Sequence, residues 1–301
     1  MRTDQRLTHA YKHAKRITFN DEDKFIMFSD VHRGDNSLSD EFAHNQNIYY
    51  HALQNYYDNG YTYIELGDGD ELWEHARFHH IRHAHSDVYW LLSKFYEERR
   101  FHMIYGNHNM MFRFHSQVMK NLQSYDDEYH EDEGKLFPGI DVQESIVLVH
   151  EQTGQEVFLV HGHQGDLMND QLWFVSKMWL RYFWRYMHII GFRNPASPAK
   201  NRHKRHKIEK NFTKWIKRHK VMLVCGHTHR PKFPSDGDVP YFNDGCCVHP
   251  RGITGIEIAG GQIMLVDWRV RPHENGSLYI DKKIIRGPAP ISKFDMKKVD
   301  D

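Results

Sequence analysis

Five stretches of this chain share one pattern, in which a short apolar run is followed, directly or after one glycine, by Asp, Asn or His. The runs have the length and character of buried strands and cover residues 25–29, 61–66, 101–105, 156–160 and 221–225. The polar pieces that follow them are Asp30-Val31-His32, Gly67-Asp68, Gly106-Asn107-His108, His161-Gly162-His163 and Gly226-His227-Thr228-His229. Side chains that leave several strands at the same end of a sheet can converge. The pattern therefore predicts one functional site at the edge of a β-sheet.

Helical patterns alternate with the first three runs, over residues 39–59 and 86–100, with Ser39 and Ser86 as N-caps. This alternation predicts parallel strands joined by crossover helices. Later segments read as antiparallel strands, namely 144–151 and 155–160 as a hairpin, then 241–248, 255–259 and 262–270. The order predicts an α/β fold, a mixed β-sandwich flanked by helices.

More than fifty residues separate the fourth and fifth runs. Residues 172–190 are almost continuously apolar and aromatic, with Lys177, Arg181 and Arg185 on one helical stripe, and three charges argue against a membrane span. A Pro-containing break precedes a second helical stretch on a basic background. We expect a single domain over residues 1–301, with a helical cap inserted at about 167–220.

The composition excludes several classes. The 40 Lys and Arg balance the 40 Asp and Glu, so no global field demands a polyanionic partner. Cys225, Cys246 and Cys247 cannot form a disulfide framework, and the first residues are polar, so a cytoplasmic location is expected. The 25 histidines make any one His-x-His pair weak, and only the set of five motifs carries weight.

Asp, Asn and His offer oxygen and imidazole donors, which suit two divalent ions better than a structural zinc. Two adjacent ions require a bridging carboxylate, and Asp68 on its Gly-flanked turn fits that role. His108 remains free for work on the substrate. The other expected ligands are Asp30 and His32 on the first ion, Asn107 and His161 on the second, and His227 and His229, which could reach one ion each.

These motifs resemble the calcineurin-like metallophosphoesterase superfamily, with its patterns D-x-H, G-D-x-x-[DE], G-N-H-[DE], a histidine after the fourth strand, and G-H-x-H. The resemblance spans Asp30 to His229 and implies a four-layer αββα sandwich. It implies a hydroxide, formed from water between the ions, that attacks phosphorus, with His108 facing the scissile phosphate and Glu71 as a supporting acid. The implied ligands are Asp30, His32, Asp68 and His229 for one ion and Asp68, Asn107, His161 and His227 for the other, with His163 as the alternative to His161.

One departure from the family pattern concerns Asn109, which stands where the superfamily usually has an acid that orients the preceding histidine. Either another acid replaces it or less proton donation is needed. Manganese is the expected metal, with iron and zinc as alternatives. Arg33, Arg113 and Arg230 lie near the motifs and are candidate phosphate contacts.

The substrate is less well defined than the chemistry. The Arg-rich signatures of Ser/Thr protein phosphatases are missing, whereas the layout is similar to the branch of UDP-2,3-diacylglucosamine pyrophosphatase, although the Asn-Arg-Asp motif of that branch is absent. The expected substrate is a phosphodiester, pyrophosphate or phosphomonoester on a small or lipid-linked molecule.

Two interpretations of the predicted cap remain open. The aromatic residues of the cap could touch lipid and make a peripheral membrane contact, or they could pack within the cap or a dimer. The sequence does not define the oligomeric state. The basic stretch could instead bind nucleic acid, with Trp215 stacking on bases, as in a nuclease. A non-catalytic scaffold is disfavoured because every ligand position is filled. The aromatic residues are Trp173, Phe174, Trp179, Phe183 and Trp184, and the basic ones are Arg202, Lys204, Arg205, Lys207, Lys210, Lys214, Lys217 and Arg218.

Overall fold

Two large β-sheets form the centre of the molecule. The computed structural model describes residues 3–127, 132–166, 169–170, 172–184 and 202–297. The strands are β1 (Lys15–Phe19), β2 (Phe25–Phe28), β3 (Thr62–Leu66), β4 (Phe101–Ile104), β5 (Ser124–Asp127), β6 (Asp132–Lys135), β7 (Ser145–His150), β8 (Glu156–Val160), β9 (Met222–Cys225), β10 (Tyr241–Asn243), β11 (Ile253–Ala259), β12 (Gln262–Pro272) and β13 (Leu278–Pro290). The helices are α1 (Thr3–Lys12), α2 (Gln46–Asp58), α3 (Phe78–Ala84), α4 (Ser86–Glu97), α5 (His115–Asn121), α6 (Trp173–Trp179) and α7 (Arg202–His219).

The two sheets are both mixed. The six-stranded sheet has the order β13-β12-β11-β2-β3-β4, in which β2, β3 and β4 are parallel and β11 to β13 are antiparallel. The five-stranded sheet has the order β1-β7-β8-β9-β10, with β7 and β8 as its one antiparallel pair. The predicted hairpin and the parallel first sheet are thus confirmed.

Three apolar clusters make this a four-layer molecule. Side chains such as Met27, Ile64 and Leu159 fill the space between the two sheets. Helices α2 and α4 pack on the outer face of the six-stranded sheet, and α1 and α7 pack on the outer face of the five-stranded sheet. Burial of these apolar faces is the main stabilising term. The arrangement confirms the predicted αββα sandwich.

Helix α2 begins later than the predicted range 39–59, and α4 ends earlier than the predicted range 86–100. A 3-10 turn at Ala43–Asn45 precedes α2, and the carboxylate of Asp40, not Ser39, accepts the N–H groups of Phe42 and Ala43. Helix α4 ends at Glu97, since Arg99 adopts a positive φ of 59°.

The predicted strand over 241–248 is wrong in length and direction. Strand β10 covers only Tyr241–Asn243 and runs parallel to β9, not antiparallel to its neighbour. Gly245, with φ of 91°, turns the chain away soon afterwards. The edge strands β1 and β13 were not predicted, because much of their surface is exposed and their apolar pattern is weak.

The segment predicted as a cap has two described parts. Helix α7 lies in the outer helical layer, where it buries Phe212, Trp215 and Ile216 against the five-stranded sheet. Helix α6 continues into the π-helical turn Leu180–Trp184. Residues 185–201, including Arg185, lie outside the described residues, and the single-domain and cap boundaries remain a prediction. Among the described residues, no helix is long and apolar enough to cross a membrane.

Candidate metal centre

The predicted ligands follow β2, β3, β4, β8 and β9, on both sheets, where the backbone turns sharply. In the described chain, nine non-glycine residues have a positive φ, and five of them are predicted ligands. Such left-handed conformations cost about 1–3 kcal/mol each and cluster at functional sites. The ligands concerned are Asp30 (50°), His32 (51°), Asp68 (52°), His227 (66°) and His229 (53°).

Two glycines allow backbone segments to approach the carboxylates closely. A Cβ on Gly106 would lie 2.1 Å from Asp68 Oδ1, and one on Gly226 would lie 2.6 Å from Asp30 Oδ2. No side chain fits at either distance without a shift of the carboxylate. Close packing against these carboxylates therefore explains why the Gly-Asn-His and Gly-His-x-His motifs begin with glycine.

One group of donors contains Asp30, His32 and His229. The Oδ1 atom of Asp30 lies 3.0 Å from His229 Nε2 and 3.7 Å from His32 Nε2. All three donor atoms lie within 4.8 Å of one another, a spacing that could hold a metal ion. The histidine of the Asp-x-His motif and the last histidine of the Gly-His-x-His motif thus meet at the carboxylate of Asp30.

A second group contains Asp68, His161 and His227, also within 4.8 Å of one another. His161 Nε2 lies 3.0 Å from Asp68 Oδ2 and 4.0 Å from Asp30 Oδ1. Asp68 Oδ2 also lies 3.9 Å from His32 Nε2 in the first group. Asp68 therefore stands between the two groups, as a bridging carboxylate must.

Four donor atoms of these groups, and the side-chain oxygen of Asn107, are buried and lack hydrogen-bond partners. Buried polar atoms without partners are uncommon and costly, and several at one point are typical of a metal-binding site. Oxygen and imidazole donors are suited to manganese, iron or zinc, and the residues present therefore fit a pair of divalent cations. The unpartnered atoms are Asp30 Oδ1, His32 Nε2, Asn107 Oδ1, His161 Nε2 and His227 Nε2.

Neighbouring groups orient the ligands. The Nδ1 of His161 lies 3.0 Å from the carbonyl of Leu66, and an Nδ1–H donor there leaves the Nε2 lone pair facing the site. Asp30 Oδ2 accepts the backbone N–H of His227 at 2.7 Å and the hydroxyl of Ser29 at 2.6 Å. These contacts keep Asp30 Oδ1 directed at the ligand groups.

The carboxylates create a strong demand for positive charge. Burial alone would raise the pKa of Asp30, but the charges of His229 and His161 hold it well below its usual range. Burial alone would lower the pKa of His229, but the charge of Asp30 raises it to about 10. The pKa of His161 is likewise raised by Asp68 and Asp30 against the effect of burial. Divalent cations would satisfy the same demand.

His108 lies at the open side of the site, with 18% of its side chain exposed. Its Nδ1 lies 2.8 Å from Glu71 Oε1, while His32 Nδ1 lies 2.8 Å from Glu71 Oε2. One carboxylate therefore serves a predicted ligand and the predicted catalytic histidine. Glu71 is the acid that replaces the missing one, while Asn109 accepts the N–H of Gly106 at 2.6 Å and holds the turn.

The loop after Glu71 contacts the π-helical turn that follows α6. The ring of Trp73 stacks on His108, with centroids 4.3 Å apart and 23° between planes. Arg181 donates hydrogen bonds to the carbonyls of Trp73 at 3.0 Å and Leu72 at 2.8 Å. The π-helical turn after α6 thus contacts the chain segment that carries Glu71, a link the sequence did not reveal.

The three arginines proposed as phosphate contacts differ in placement. Arg33 is completely buried, where its guanidinium binds Glu65 and Asp70, so its prediction as a substrate contact is wrong. Arg113 is exposed and lies over the rings of Phe114 and Trp173. Arg230 is exposed beside the metal centre.

Two buried residues outside the predicted set bear on the site. Asp244, directly after β10, lies 2.7 Å from Ser29 Oγ, and burial together with the charge of Asp30 raises its pKa well above the usual value. The hydroxyl of Ser29 lies between the carboxyl groups of Asp244 and Asp30 and can donate to either. The pattern of polar residues at strand ends would have identified Asp244 if the predicted strand had ended at Asn243. His163 is buried with both ring nitrogens unpartnered and lies outside both donor groups, which favours His161 as the ligand.

No model of a known protein family matches the sequence, and no curated protein matches it. Three solved structures resemble the fold at low identity. A conserved uncharacterised protein from Streptococcus pneumoniae TIGR4, titled a predicted phosphoesterase, is 12% identical with a TM-score of 0.35, covering 87% of this chain and 97% of the other. Vps29 from Chaetomium thermophilum is 9% identical with a TM-score of 0.40, covering 87% and 95%. A protein from Staphylococcus aureus described as a proposed 5'-nucleotidase, in complex with alpha-ketoglutarate, is 14% identical with a TM-score of 0.32, covering 92% and 58%. Similarity of this size identifies no function, and the chemistry is inferred from the side chains themselves.

Proposed function

We propose that this chain is a dinuclear-metal phosphoesterase of the calcineurin-like metallophosphoesterase superfamily. One observation carries the proposal: buried atoms after β2, β4, β8 and β9 lack hydrogen-bond partners, and two groups of metal-type donors lie around Asp30 and Asp68. A scaffold has no need of such an arrangement, because unpartnered buried donors destabilise the fold. The proposed ligands are Asp30, His32, Asp68 and His229 for one cation and Asp68, Asn107, His161 and His227 for the other.

The bound cations would supply the activation of water and the neutralisation of charge on phosphate oxygens. The residues of the chain supply orientation and proton transfer. Asp68 Oδ1 accepts the backbone N–H of His108 at 2.7 Å, which fixes the histidine beside the bridging carboxylate. With Nδ1 of His108 held by Glu71, its Nε2 is the nitrogen available to donate a proton to the leaving oxygen.

The proposal is tested by turnover of bis-p-nitrophenyl phosphate with manganese, iron or zinc added to metal-stripped protein. We expect metal-dependent hydrolysis in the wild-type chain and none in Asp68→Ala, because one carboxylate serves both ions. His163→Asn is the matched control, since it removes a neighbouring buried imidazole outside the donor groups. Full activity in metal-stripped protein or in Asp68→Ala would refute the proposal.

The substrate class is proposed as a phosphorylated small or lipid-linked molecule. Helix α6 and the π-helical turn after it expose three aromatic side chains: Phe174 is 60% exposed, Trp179 59% and Tyr182 64%. In the same segment, Arg181 contacts the loop after Glu71. Exposed aromatic rings beside cations are typical of helices that lie on a lipid surface. Flotation with anionic liposomes supports this reading if the wild-type chain floats and Phe174→Ser/Trp179→Ser does not; it fails if neither floats.

A nuclease is the alternative. The basic residues of α7 favour it, but Trp215 is fully buried and donates its indole N–H to Thr8, so it cannot stack on bases. A substrate panel of phosphomonoesters, diesters, nucleotide-sugar pyrophosphates and oligonucleotides discriminates the two. Preference for oligonucleotides would favour the nuclease.

A further inference from the structure

A cavity lies between α7, the loop after β9 and strands β12 and β13. Its volume is about 550 Å³, within the range of roughly 300–1,000 Å³ that is common for small-molecule pockets. Four cationic side chains line it, and we call it the basic groove: Arg205, Arg230, Lys232 and Arg286. They come from three separate elements of the fold.

The positive charge of the basic groove is largely uncompensated. Glu209 is the one acid in its lining, and this carboxylate lies 3.4 Å from Lys232 Nζ. In the parts of the chain that the structure describes, no carboxylate pairs with Arg205, Arg230 or Arg286. Three guanidinium groups around one cavity repel one another and attract anions, and their planar forks suit phosphate oxygens. The contrast with Arg33, which is neutralised by Glu65 and Asp70, is clear.

The position and floor of the groove limit what it can bind. Arg230, which lines the groove, directly follows the proposed ligand His229, and consecutive Cα atoms lie about 3.8 Å apart. Phe233, Leu265 and Ile285 provide an apolar floor beneath the cations. A molecule that reaches both places would carry a second anionic group and an apolar body.

We propose that the basic groove is a subsite for a second phosphate group of the molecule whose first phosphate lies at the metal centre. This inference rests on the proposed function and deepens it, since it makes the preferred substrate a bisphosphorylated organic molecule. The apolar body of that molecule rests on Phe233 and Ile285, and Arg205 and Arg286 hold its second phosphate from opposite walls.

The test uses a matched pair of double variants in the full-length protein. Arg205→Gln/Arg286→Gln removes two charges from α7 and β13 inside the groove. Lys207→Gln/Lys283→Gln removes two charges from exposed positions on the same two elements, outside its lining. The probe is adenosine 3',5'-bisphosphate, compared with adenosine 5'-monophosphate, as an inhibitor of manganese-dependent bis-p-nitrophenyl phosphate turnover.

We expect the bisphosphate to inhibit the wild-type chain at about tenfold lower concentration than the monophosphate, in line with the strength of charge-assisted contacts. The groove variant should lose this advantage, and the control variant should keep it, while both keep the wild-type KM for the small diester. An equal loss in both variants, or an undiminished advantage in the groove variant, would overturn the inference. Calorimetric binding of the same two ligands reads out the groove even if turnover is absent, so failure of the proposed function and failure of the groove are separable.

Discussion

Glu71→Gln is the substitution that most sharply separates a catalytic centre from a buried cluster of charges. The carboxylate of Glu71 is shared by two imidazoles, His32 Nδ1 at 2.8 Å and His108 Nδ1 at 2.8 Å to one oxygen and 2.6 Å to the other. Burial alone would raise the pKa of Glu71, but the charges and hydrogen bonds of His108 and His32 hold it well below the usual range. A glutamine keeps the shape and one acceptor but loses the charge.

The magnitude follows from the lost contact at His108. A hydrogen bond to a charged group contributes about 1.5–3 kcal/mol. If the bond is needed when His108 gives up its proton, kcat falls by roughly 10- to 150-fold, since about 1.4 kcal/mol corresponds to a factor of ten. Loss of the partner of His32 should also weaken metal affinity, by about 10- to 100-fold for a residue that orients a ligand.

The assay is bis-p-nitrophenyl phosphate hydrolysis across a manganese titration, which separates kcat at saturating metal from the apparent metal affinity. Glu144→Gln is the control, because that carboxylate pairs with Arg6 and contacts no predicted ligand. Wild-type kcat at saturating manganese in Glu71→Gln would refute the role given to His108.

Three further predictions concern different parts of the structure. Arg181→Ala should lower kcat about tenfold by releasing the loop of Trp73, in line with the loss of charge-assisted hydrogen bonds, and an unchanged kcat would contradict the link. Gly106→Ala should reduce the metal content measured by mass spectrometry, because the new Cβ would displace Asp68, and two bound ions per chain would contradict this. Burial and Lys15 lower the pKa of His102 to about 4. The unfolded chain binds a proton on this imidazole near pH 6.5, whereas the folded chain does so only near pH 4. His102 therefore lowers the free energy of unfolding as the pH drops from about 6.5 to 4, by up to about 3 kcal/mol. His102→Gln should flatten the pH dependence of the free energy of unfolding measured with denaturant in this range, and an unaltered slope would contradict the prediction.

The sequence predicts the sandwich and the grouping of the ligands because both follow from local patterns. Apolar runs with a polar residue at their end define strands and strand ends, whatever the rest of the chain does. The sharing of Glu71 between His32 and His108 has no such pattern, since it depends on side-chain directions in the folded loop. Asn109 sits beside His108 in sequence but points back to Gly106.

Tertiary context also explains the wrong predictions. Arg33 follows a motif and looks available, but two buried carboxylates, Glu65 and Asp70, claim its guanidinium. The nuclease alternative required Trp215 to be exposed, but the helix packs this side chain into the core. Arg33 and Trp215 both have partners that are distant in sequence, so the residues next to them in the chain do not indicate their environment.

The central claim is that Asp68 stands between two divalent cations. Anomalous X-ray diffraction from crystals grown with manganese, recorded at the manganese absorption edge, tests it most directly. Two anomalous peaks are predicted, one beside Asp30 and His229 and the other beside His161 and His227, both within bonding distance of the Asp68 carboxylate. A single peak, or peaks that leave the Asp68 carboxylate without a metal contact, would contradict the account.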